Sequence, residues 1–210
     1  MSAMQKTLWV LVACVALVLG LTVFKVLNVP AADRKAQQLD AGIVMLQTPR
    51  PLPKVQLLDQ NAQPRLLSSL TGQWSLVFFG YTFCPDVCPT TLAELRHIKS
   101  KLSPKAAAQV QLVMVSVDPA RDTPAQLKTY LSFFDANLLG LTGEPVAIAE
   151  AAKAMGVPYI AAPTDQGENY LVDHGANLAL VDPQGRQQGF IRAPLRTDKL
   201  AEELERLLAP

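Results

Sequence analysis

The stretch Phe78-Phe79-Gly80-Tyr81-Thr82-Phe83-Cys84-Pro85-Asp86-Val87-Cys88-Pro89-Thr90-Thr91-Leu92 decides the fold, because it joins an apolar strand to a helix. The apolar run from Ser75 to Phe79 predicts a buried strand, and a helical pattern begins at Pro89. Cys84 and Cys88 are four residues apart, a spacing that places two side chains on one face of a helical turn. Unpaired amides and the positive dipole end at a helix start stabilise thiolates. The stretch therefore predicts either a redox dithiol or a metal site.

The amino-terminal part of the chain differs in composition from the rest. No charged residue occurs between Lys6 and Lys25, and nearly all residues there, Cys14 included, are apolar. As a helix that rises about 1.5 Å per residue, this run can cross a hydrocarbon core of about 30 Å. We therefore predict four parts: a tail over residues 1–6, an uncleaved transmembrane anchor over residues 7–26, an extended linker over residues 27–50 and a globular domain over residues 51–210.

Composition and anchor position also restrict the partners and the location. The 210 residues carry a formal net charge of +1, and the lysines and arginines are scattered, so no nucleic-acid footprint is present. A single anchor close to the amino terminus, followed by the whole domain, is typical of an exported domain. We predict a single-pass protein of the cell (inner) membrane with its domain on the periplasmic side, where a disulfide can form.

The globular part predicts alternating strands and helices. Strands are predicted over residues 55–58, 74–79 and 109–117, helices over residues 89–102 and 144–155, a polar loop over residues 161–169 and a β-hairpin over residues 177–192. Thr123 followed by Pro124 predicts a capped helix, and Thr197 caps a last one. This order predicts an α/β, thioredoxin-like fold: a central mixed sheet flanked by helices, with the cysteines at the carboxyl end of the first long strand.

A third ligand for a metal can come from only two histidines. His97 lies nine residues after Cys88 on the same predicted helix, about 13 Å along its axis. Metal–ligand bonds are about 2 Å long, so His97 is interpreted as a surface residue. His174 precedes the first hairpin strand, and the approach to that strand passes over the helix start that carries the cysteines. His174 is therefore the candidate third ligand.

Other polar and sulfur-containing residues are assigned mainly to structure. Met114 lies in a buried strand and Met155 ends a helix, so both are predicted to be in the core. For Asp86 and Asp118 two interpretations stay open: a role around the site or in partner docking, or a helix-start acid and an Asp-Pro turn. The pair Arg121-Asp122 is predicted to belong to the turn before the capped helix.

Four separate segments together resemble the Sco/SenC family. They are Gly80 to Pro89 with its two cysteines, Ser116-Val117-Asp118-Pro119 running into Arg121-Asp122-Thr123-Pro124, Gly140-Leu141-Thr142-Gly143, and Asp173-His174 before the turn Val181-Asp182-Pro183-Gln184-Gly185. The resemblance covers about residues 50–210. It implies a membrane-anchored, thioredoxin-like copper protein whose two cysteine ligands are Cys84 and Cys88 and whose histidine ligand is His174. Gly175 departs from the pattern, because many members have serine there, and leaves the ligands untouched.

The resemblance implies a copper chaperone rather than an enzyme, with about one copper ion, Cu(I) or Cu(II), per chain. It would take copper from an upstream copper donor protein and deliver it to the cytochrome oxidase subunit that carries a copper site. Two thiolates favour Cu(I) and an added imidazole allows Cu(II), whereas structural zinc is normally four-coordinate.

Three other functions are open to different degrees. The main alternative is a thiol–disulfide reductase that keeps the oxidase cysteines reduced, with Cys84 as nucleophile, Cys88 as its partner and a thiol–disulfide reductant behind it. A peroxidase is disfavoured, because Val77 and Tyr81 stand where peroxiredoxins have proline and threonine. Copper-dependent signalling stays open.

Overall fold

A computed structural model of the chain describes residues 3–27, 36–38, 41–160 and 170–208. These residues form two units, helix α1 (Ala3–Leu27) and a domain that begins at Ala36. A helix is thus present where the anchor over residues 7–26 was predicted. Among the described residues, however, no helix has the length and apolar character that a bilayer crossing requires. The structure does not confirm the predicted transmembrane span.

The domain combines one mixed sheet with five further helices in the part of the chain that the structure describes. The strands are β1 (Ala36–Gln38), β2 (Ile43–Pro51), β3 (Gln56–Asp59), β4 (Pro64–Leu66), β5 (Trp74–Gly80), β6 (Val110–Ser116), β7 (Leu139–Thr142), β8 (Leu178–Val181) and β9 (Arg186–Ile191). The helices are α2 (Val87–Lys101), α3 (Pro104–Ala107), α4 (Pro124–Ser132), α5 (Pro145–Ala154) and α6 (Thr197–Leu208). The strand order is β1-β2-β9-β8-β5-β6-β7-β3-β4.

The two most apolar strands, β5 and β6, lie in the middle of this sheet. They pair in parallel from Trp74 opposite Val110 to Gly80 opposite Ser116. Almost all of their side chains are buried, as expected for strands that are covered on both faces. Since parallel strands end at the same edge of a sheet, the loops that follow β5 and β6 lie next to each other. The thioredoxin-like α/β fold, with its mixed sheet, is therefore confirmed.

Helix α2 is amphipathic and fixes the cysteine region against the domain. Leu92, Leu95 and Ile98 are fully buried, and burial of each such side chain contributes about 1.5–3 kcal/mol. The helix begins at Val87, two residues before the predicted start at Pro89. Cys88 is consequently inside the first turn, whereas Cys84 precedes the helix.

The start of α4 and the hairpin follow the sequence prediction, whereas α6 begins at Thr197 itself, the residue that was predicted to precede it as a cap. Thr123 caps α4, because its side-chain oxygen accepts a hydrogen bond from the amide of Gln126, and Pro124 occupies the first turn. Strands β8 and β9 form the predicted antiparallel hairpin around the turn at Asp182. The predicted polar loop over residues 161–169 lies outside the described residues.

The linker prediction over residues 27–50 differs from the structure at β1 and β2, which pair antiparallel with each other. Ile43–Pro51 forms strand β2, which pairs antiparallel with β9, with Ile43 opposite Ile191. Ile43 is fully buried. The apolar run that begins at Ile43 thus extends the sheet instead of acting as a spacer, and the prolines at the end of β2 concealed this strand in the sequence.

Candidate metal centre

The two cysteines lie on either side of the start of α2. Cys84 is in the loop after β5 and is half-buried, and Cys88 is completely buried in the first helical turn. The amide of Cys88 donates a hydrogen bond to Cys84 Sγ, with an N–S distance of 3.4 Å. Both thiols are free. The sulfurs therefore face a common point although only one of them belongs to the helix.

His174 is brought to the cysteines by a short segment before β8. This segment pairs with the chain after α5: the amide of Ile160 donates to the carbonyl of Asp173, and the amide of Gly175 donates to that of Pro158, both at 2.9 Å. His174 Nε2 lies 3.4 Å from Cys88 Sγ. Its Nδ1 lies 3.2 Å from the carbonyl oxygen of Gly175. That carbonyl can only accept, so the proton is on Nδ1 and the Nε2 lone pair faces the sulfurs.

The donor atoms of Cys84, Cys88 and His174 lie within 4.8 Å of one another. Ligand bonds of about 2.0–2.3 Å place two donors of the same metal ion about 3.3–4.6 Å apart. A metal ion can therefore be bound after small side-chain adjustments. His97 is outside this group, and Met114 and Met155 are fully buried in the core, as predicted.

The two thiols have opposite electrostatic environments. Burial is the largest influence on Cys84 and opposes ionisation, but hydrogen bonds from the amides of Asp86, Cys88 and Val87 outweigh it, and the pKa of Cys84 is lowered. Burial raises the pKa of Cys88 far above its ordinary value, and the neighbouring Cys84 adds to that shift. Cys84 therefore ionises more readily than Cys88 and is the better nucleophile of the two thiols.

Burial also lowers the pKa of His174, although the Gly175 carbonyl opposes that change. A neutral imidazole is the form that binds metals. Two aromatic rings hold it in place by edge contacts, with ring centroids at 5.7 Å for Phe78 and 5.8 Å for Tyr81. The Tyr81 hydroxyl also accepts a hydrogen bond from the amide of Val172, at 3.3 Å.

Asp122 is a residue of the site region that the sequence interpretation placed only in a turn. Its buried carboxylate accepts hydrogen bonds from the amide of Thr82 at 3.1 Å, the hydroxyl of Thr82 at 2.7 Å and the hydroxyl of Ser116 at 2.6 Å. Burial raises its pKa. Asp122 therefore ties the end of β6 to the loop that carries Cys84. The sequence signal that could have identified this role is its position in the segment from Ser116 to Pro124, which begins at the end of β6.

The two other acidic candidates have different surroundings. Asp86 is exposed and precedes α2 without a side-chain capping hydrogen bond. Asp118 is buried and forms an ion pair with Arg121, with Nε 2.5 Å from Oδ2. Asp118 also accepts a hydrogen bond from the hydroxyl of Tyr170 at 2.6 Å. Of the two, only Asp118 contacts the segment that leads to His174.

Comparisons with known proteins give matches over most of the domain. The model of the SCO1/SenC family matches residues 47–209. A protein of Stutzerimonas stutzeri, whose name marks it as a candidate copper-binding protein, is 46% identical over 178 residues, which cover 85% of this chain and 87% of that protein. The mitochondrial SCO2 homolog of Mus musculus is 36% identical over 154 residues, which cover 73% of this chain and 60% of that protein. The structure of Bradyrhizobium japonicum ScoI with copper bound has a TM-score of 0.65 and 40% identity, and the match covers 74% of this chain and 98% of that one.

Proposed function

Because the chain belongs to the SCO1/SenC family, we propose that it binds one copper ion through Cys84, Cys88 and His174. The observation that carries the proposal is the convergence of the three donor atoms within 4.8 Å. The copper-bound state of the similar Bradyrhizobium japonicum protein supports copper as the metal. Thiolate ligands select Cu(I), and the imidazole lets the same site hold Cu(II).

The donor set favours copper over structural zinc. Structural zinc sites are almost always four-coordinate, with cysteine and histidine ligands. Within the described ranges, the metal-binding group contains three residues and no fourth cysteine, histidine or carboxylate. A three-ligand site leaves a position at which another protein's ligand can enter. We therefore treat copper as cargo that the protein receives and passes on.

The family resemblance supports delivery of copper to the copper site of a respiratory cytochrome oxidase subunit, after receipt from an upstream copper donor. The unequal exposure of the two sulfurs gives an order for ligand exchange. Cys84 is half-exposed, so an incoming ligand replaces it first, while the buried Cys88 is replaced last. His174 is intermediate in burial and can dissociate between these steps.

A second function, reduction of a disulfide in the oxidase subunit, is favoured by the lowered pKa of the Cys84 thiol. Cys84 would attack one sulfur of the partner's disulfide and release the other sulfur as a thiolate. Cys88 would then attack Cys84 of the mixed disulfide, so that two electrons pass to the partner and an intramolecular disulfide remains. A thiol reductant would have to restore the dithiol. The raised pKa of Cys88 slows its attack, and we therefore rank copper transfer first.

The experiment that tests the main proposal combines metal content with thiol titration. The full chain is loaded with Cu(I), Cu(II) or Zn(II), desalted and assayed. We expect about one copper per chain in either oxidation state, protection of both domain thiols by Cu(I), and little zinc after desalting. Stoichiometric zinc, or no retained copper, would contradict the proposal.

A His174→Ala variant separates the two functions. If the protein delivers copper, the variant loses Cu(II) and oxidase assembly in cells fails, although disulfide exchange continues. If the protein acts as a reductase, assembly survives the loss of His174. A Cys84→Ser variant is the matched control, because it must fail in both cases.

We also propose that the domain works on a membrane surface outside the cytoplasm. The family resemblance supports this location, and a reducible disulfide or a copper site of an exported oxidase subunit is accessible there. Membrane fractionation, with and without a carbonate wash, tests it. Recovery of the full chain in the soluble cytoplasmic fraction would contradict the proposal.

A further inference from the structure

Arg121 lies between the two parts of the chain that supply the copper ligands. It belongs to the loop after β6, and its side chain is largely buried, with 13% of its surface exposed. Its ion-pair partner is the buried carboxylate of Asp118 in the same loop. The pair is therefore shielded from solvent and oriented by the strand that precedes it.

One face of the Arg121 guanidinium group lies against the segment that leads to His174. Its central carbon is 3.5 Å from the ring centroid of Tyr170, and Nη2 donates a hydrogen bond to the carbonyl of Tyr170 at 3.0 Å. The Tyr170 hydroxyl donates in turn to Asp118 at 2.6 Å. Tyr170, four residues before His174, is thus held through its main-chain carbonyl, its ring and its hydroxyl.

The same guanidinium group is close to the loop that carries Cys84. Its central carbon is 4.9 Å from the ring centroid of Phe83, which precedes Cys84, and 5.7 Å from that of Tyr81. Cation–π attraction extends to about 6 Å. Tyr81 continues the connection, because its hydroxyl accepts the amide proton of Val172. Arg121 therefore contacts both ligand-bearing segments.

The geometry of these contacts depends on arginine. A planar guanidinium group can stack on a ring and, in the same plane, donate to both a carboxylate and a carbonyl. A lysine ammonium group keeps the charge but cannot make these contacts together. Substitutions at position 121 can therefore separate the effect of the positive charge from the effect of the planar guanidinium group.

We propose that Arg121, oriented by Asp118, is a positioning residue that holds the His174 segment against the cysteine loop and thereby prolongs retention of Cu(II). This inference rests on the proposed copper site. Cu(I) retention depends mainly on the two thiolates, whose loop is fixed by β5 and α2. Cu(II) retention depends on the imidazole as well. Loss of Arg121 therefore affects the two oxidation states unequally.

The test compares Arg121→Met and Arg121→Lys with a matched control, Arg186→Met, in the full chain. Arg186 also forms an ion pair with a buried aspartate, at 2.7 Å from Asp182, but in the β8–β9 turn. Loss of Cu(II) to EDTA and of Cu(I) to a bathocuproine chelator is followed by absorbance. We expect about tenfold faster Cu(II) loss in Arg121→Met, as for other residues that orient metal ligands. Cu(I) loss should change by less than about threefold, and Arg121→Lys should be intermediate for Cu(II).

Two outcomes would overturn the inference: Cu(II) loss from Arg121→Met that matches Arg186→Met, or equal acceleration of Cu(I) and Cu(II) loss. A copper-free measurement separates this inference from the proposed function. Amide hydrogen exchange at Val172 and Gly175 should accelerate in copper-free Arg121→Met, while β5 amides keep their protection; unchanged exchange refutes the positioning role. If wild-type protein binds no copper, the proposed function fails and the exchange result alone decides what Arg121 holds. If Arg121→Met does not fold, the same comparisons are made with Arg121→Lys.

Discussion

The cysteine loop and the His174 segment meet at one point, but they are held in different ways. The cysteine loop is continuous with the central strand β5 and with helix α2, and the amides of the helix start are directed at Cys84. The segment from Tyr170 to Gly175 has no regular secondary structure beyond one isolated bridge between Tyr159 and His174. Two main-chain hydrogen bonds to the chain after α5 and contacts with the side chains of Arg121 and Tyr81 fix its position. Regular secondary structure thus positions the two thiols, whereas tertiary contacts position the imidazole.

This difference predicts that the two parts respond differently to substitution. Cys88→Ser gives the largest effect, because it replaces the fully buried sulfur with an oxygen that does not bind Cu(I) well. We expect loss of both Cu(I) and Cu(II) binding, measured by metal content after desalting. His174→Ala is the control and should retain Cu(I). Copper retention by Cys88→Ser would show that copper binding does not require both thiols.

Gly80→Ala tests how tightly the frame below the dithiol is packed. A Cβ at position 80 would lie 2.9 Å from Cys88 Sγ and would also collide with the ring of Phe78. We expect a loss of about 1–3 kcal/mol in unfolding free energy and weaker Cu(I) binding, measured by denaturant unfolding and chelator competition.

Gly143→Ala is the matched control for that substitution. Its Cβ would lie 3.0 Å from a side-chain carbon of Leu57, away from the cysteines. It should lower the unfolding free energy without weakening Cu(I) binding. Equal Cu(I) affinities of the two variants would contradict a role of Gly80 in placing Cys88.

The opposite pKa shifts of the two thiols predict a moderate difference between their rates of alkylation. The pKa of Cys84 is lowered, so its thiolate is populated at lower pH than that of an ordinary cysteine, whereas the raised pKa of Cys88 keeps that thiol protonated. In copper-free protein, iodoacetamide should modify Cys84 at neutral pH and leave Cys88 largely unmodified up to about pH 9. Mass spectrometry of the digested protein measures both. Faster alkylation of Cys88 would reverse the assignment of the nucleophile.

Gly175→Ser should give the smallest effect. The nearest atom to a Cβ at position 175 is Pro158 Cδ at 3.4 Å, an ordinary contact distance. Since His174 is oriented by the main-chain carbonyl of residue 175, the added side chain leaves that contact unchanged. We expect a stability change within about 0.5 kcal/mol and unaltered Cu(II) loss. Clearly faster Cu(II) loss would show that the His174 segment is held less firmly than its contacts indicate.

The sequence predicted the parts of this molecule that depend on local pattern. The continuous apolar runs of β5 and β6 and the Thr123 cap each occupy one short stretch, and each was found as predicted. His174 was selected by its position before β8 and by the family resemblance, and the structure places it beside the cysteines. Strand β2 was missed because the prolines at its end are typical of an extended linker and because its partner β9 is far away in the chain.

The tertiary roles of Asp122 and Arg121 were missed for a similar reason. Both were assigned to the turn before α4, which is correct locally. Their hydrogen bonds go to Thr82, forty residues earlier, and to Tyr170, forty-nine residues later. A single sequence shows the turn but not the partners, since nothing in the local pattern encodes a contact over such a separation.

The proton on Nδ1 of His174, fixed there by the Gly175 carbonyl, has a consequence for how cargo is loaded. Nε2 of the imidazole has no proton to lose when copper arrives, and the lowered pKa of Cys84 makes that thiol the easier of the two to ionise. The buried Cys88 holds its proton more strongly because burial raises its pKa, so the incoming ion must displace that proton. Loading is thus coupled to the release of acid from the thiols, and acidification of the surroundings drives unloading.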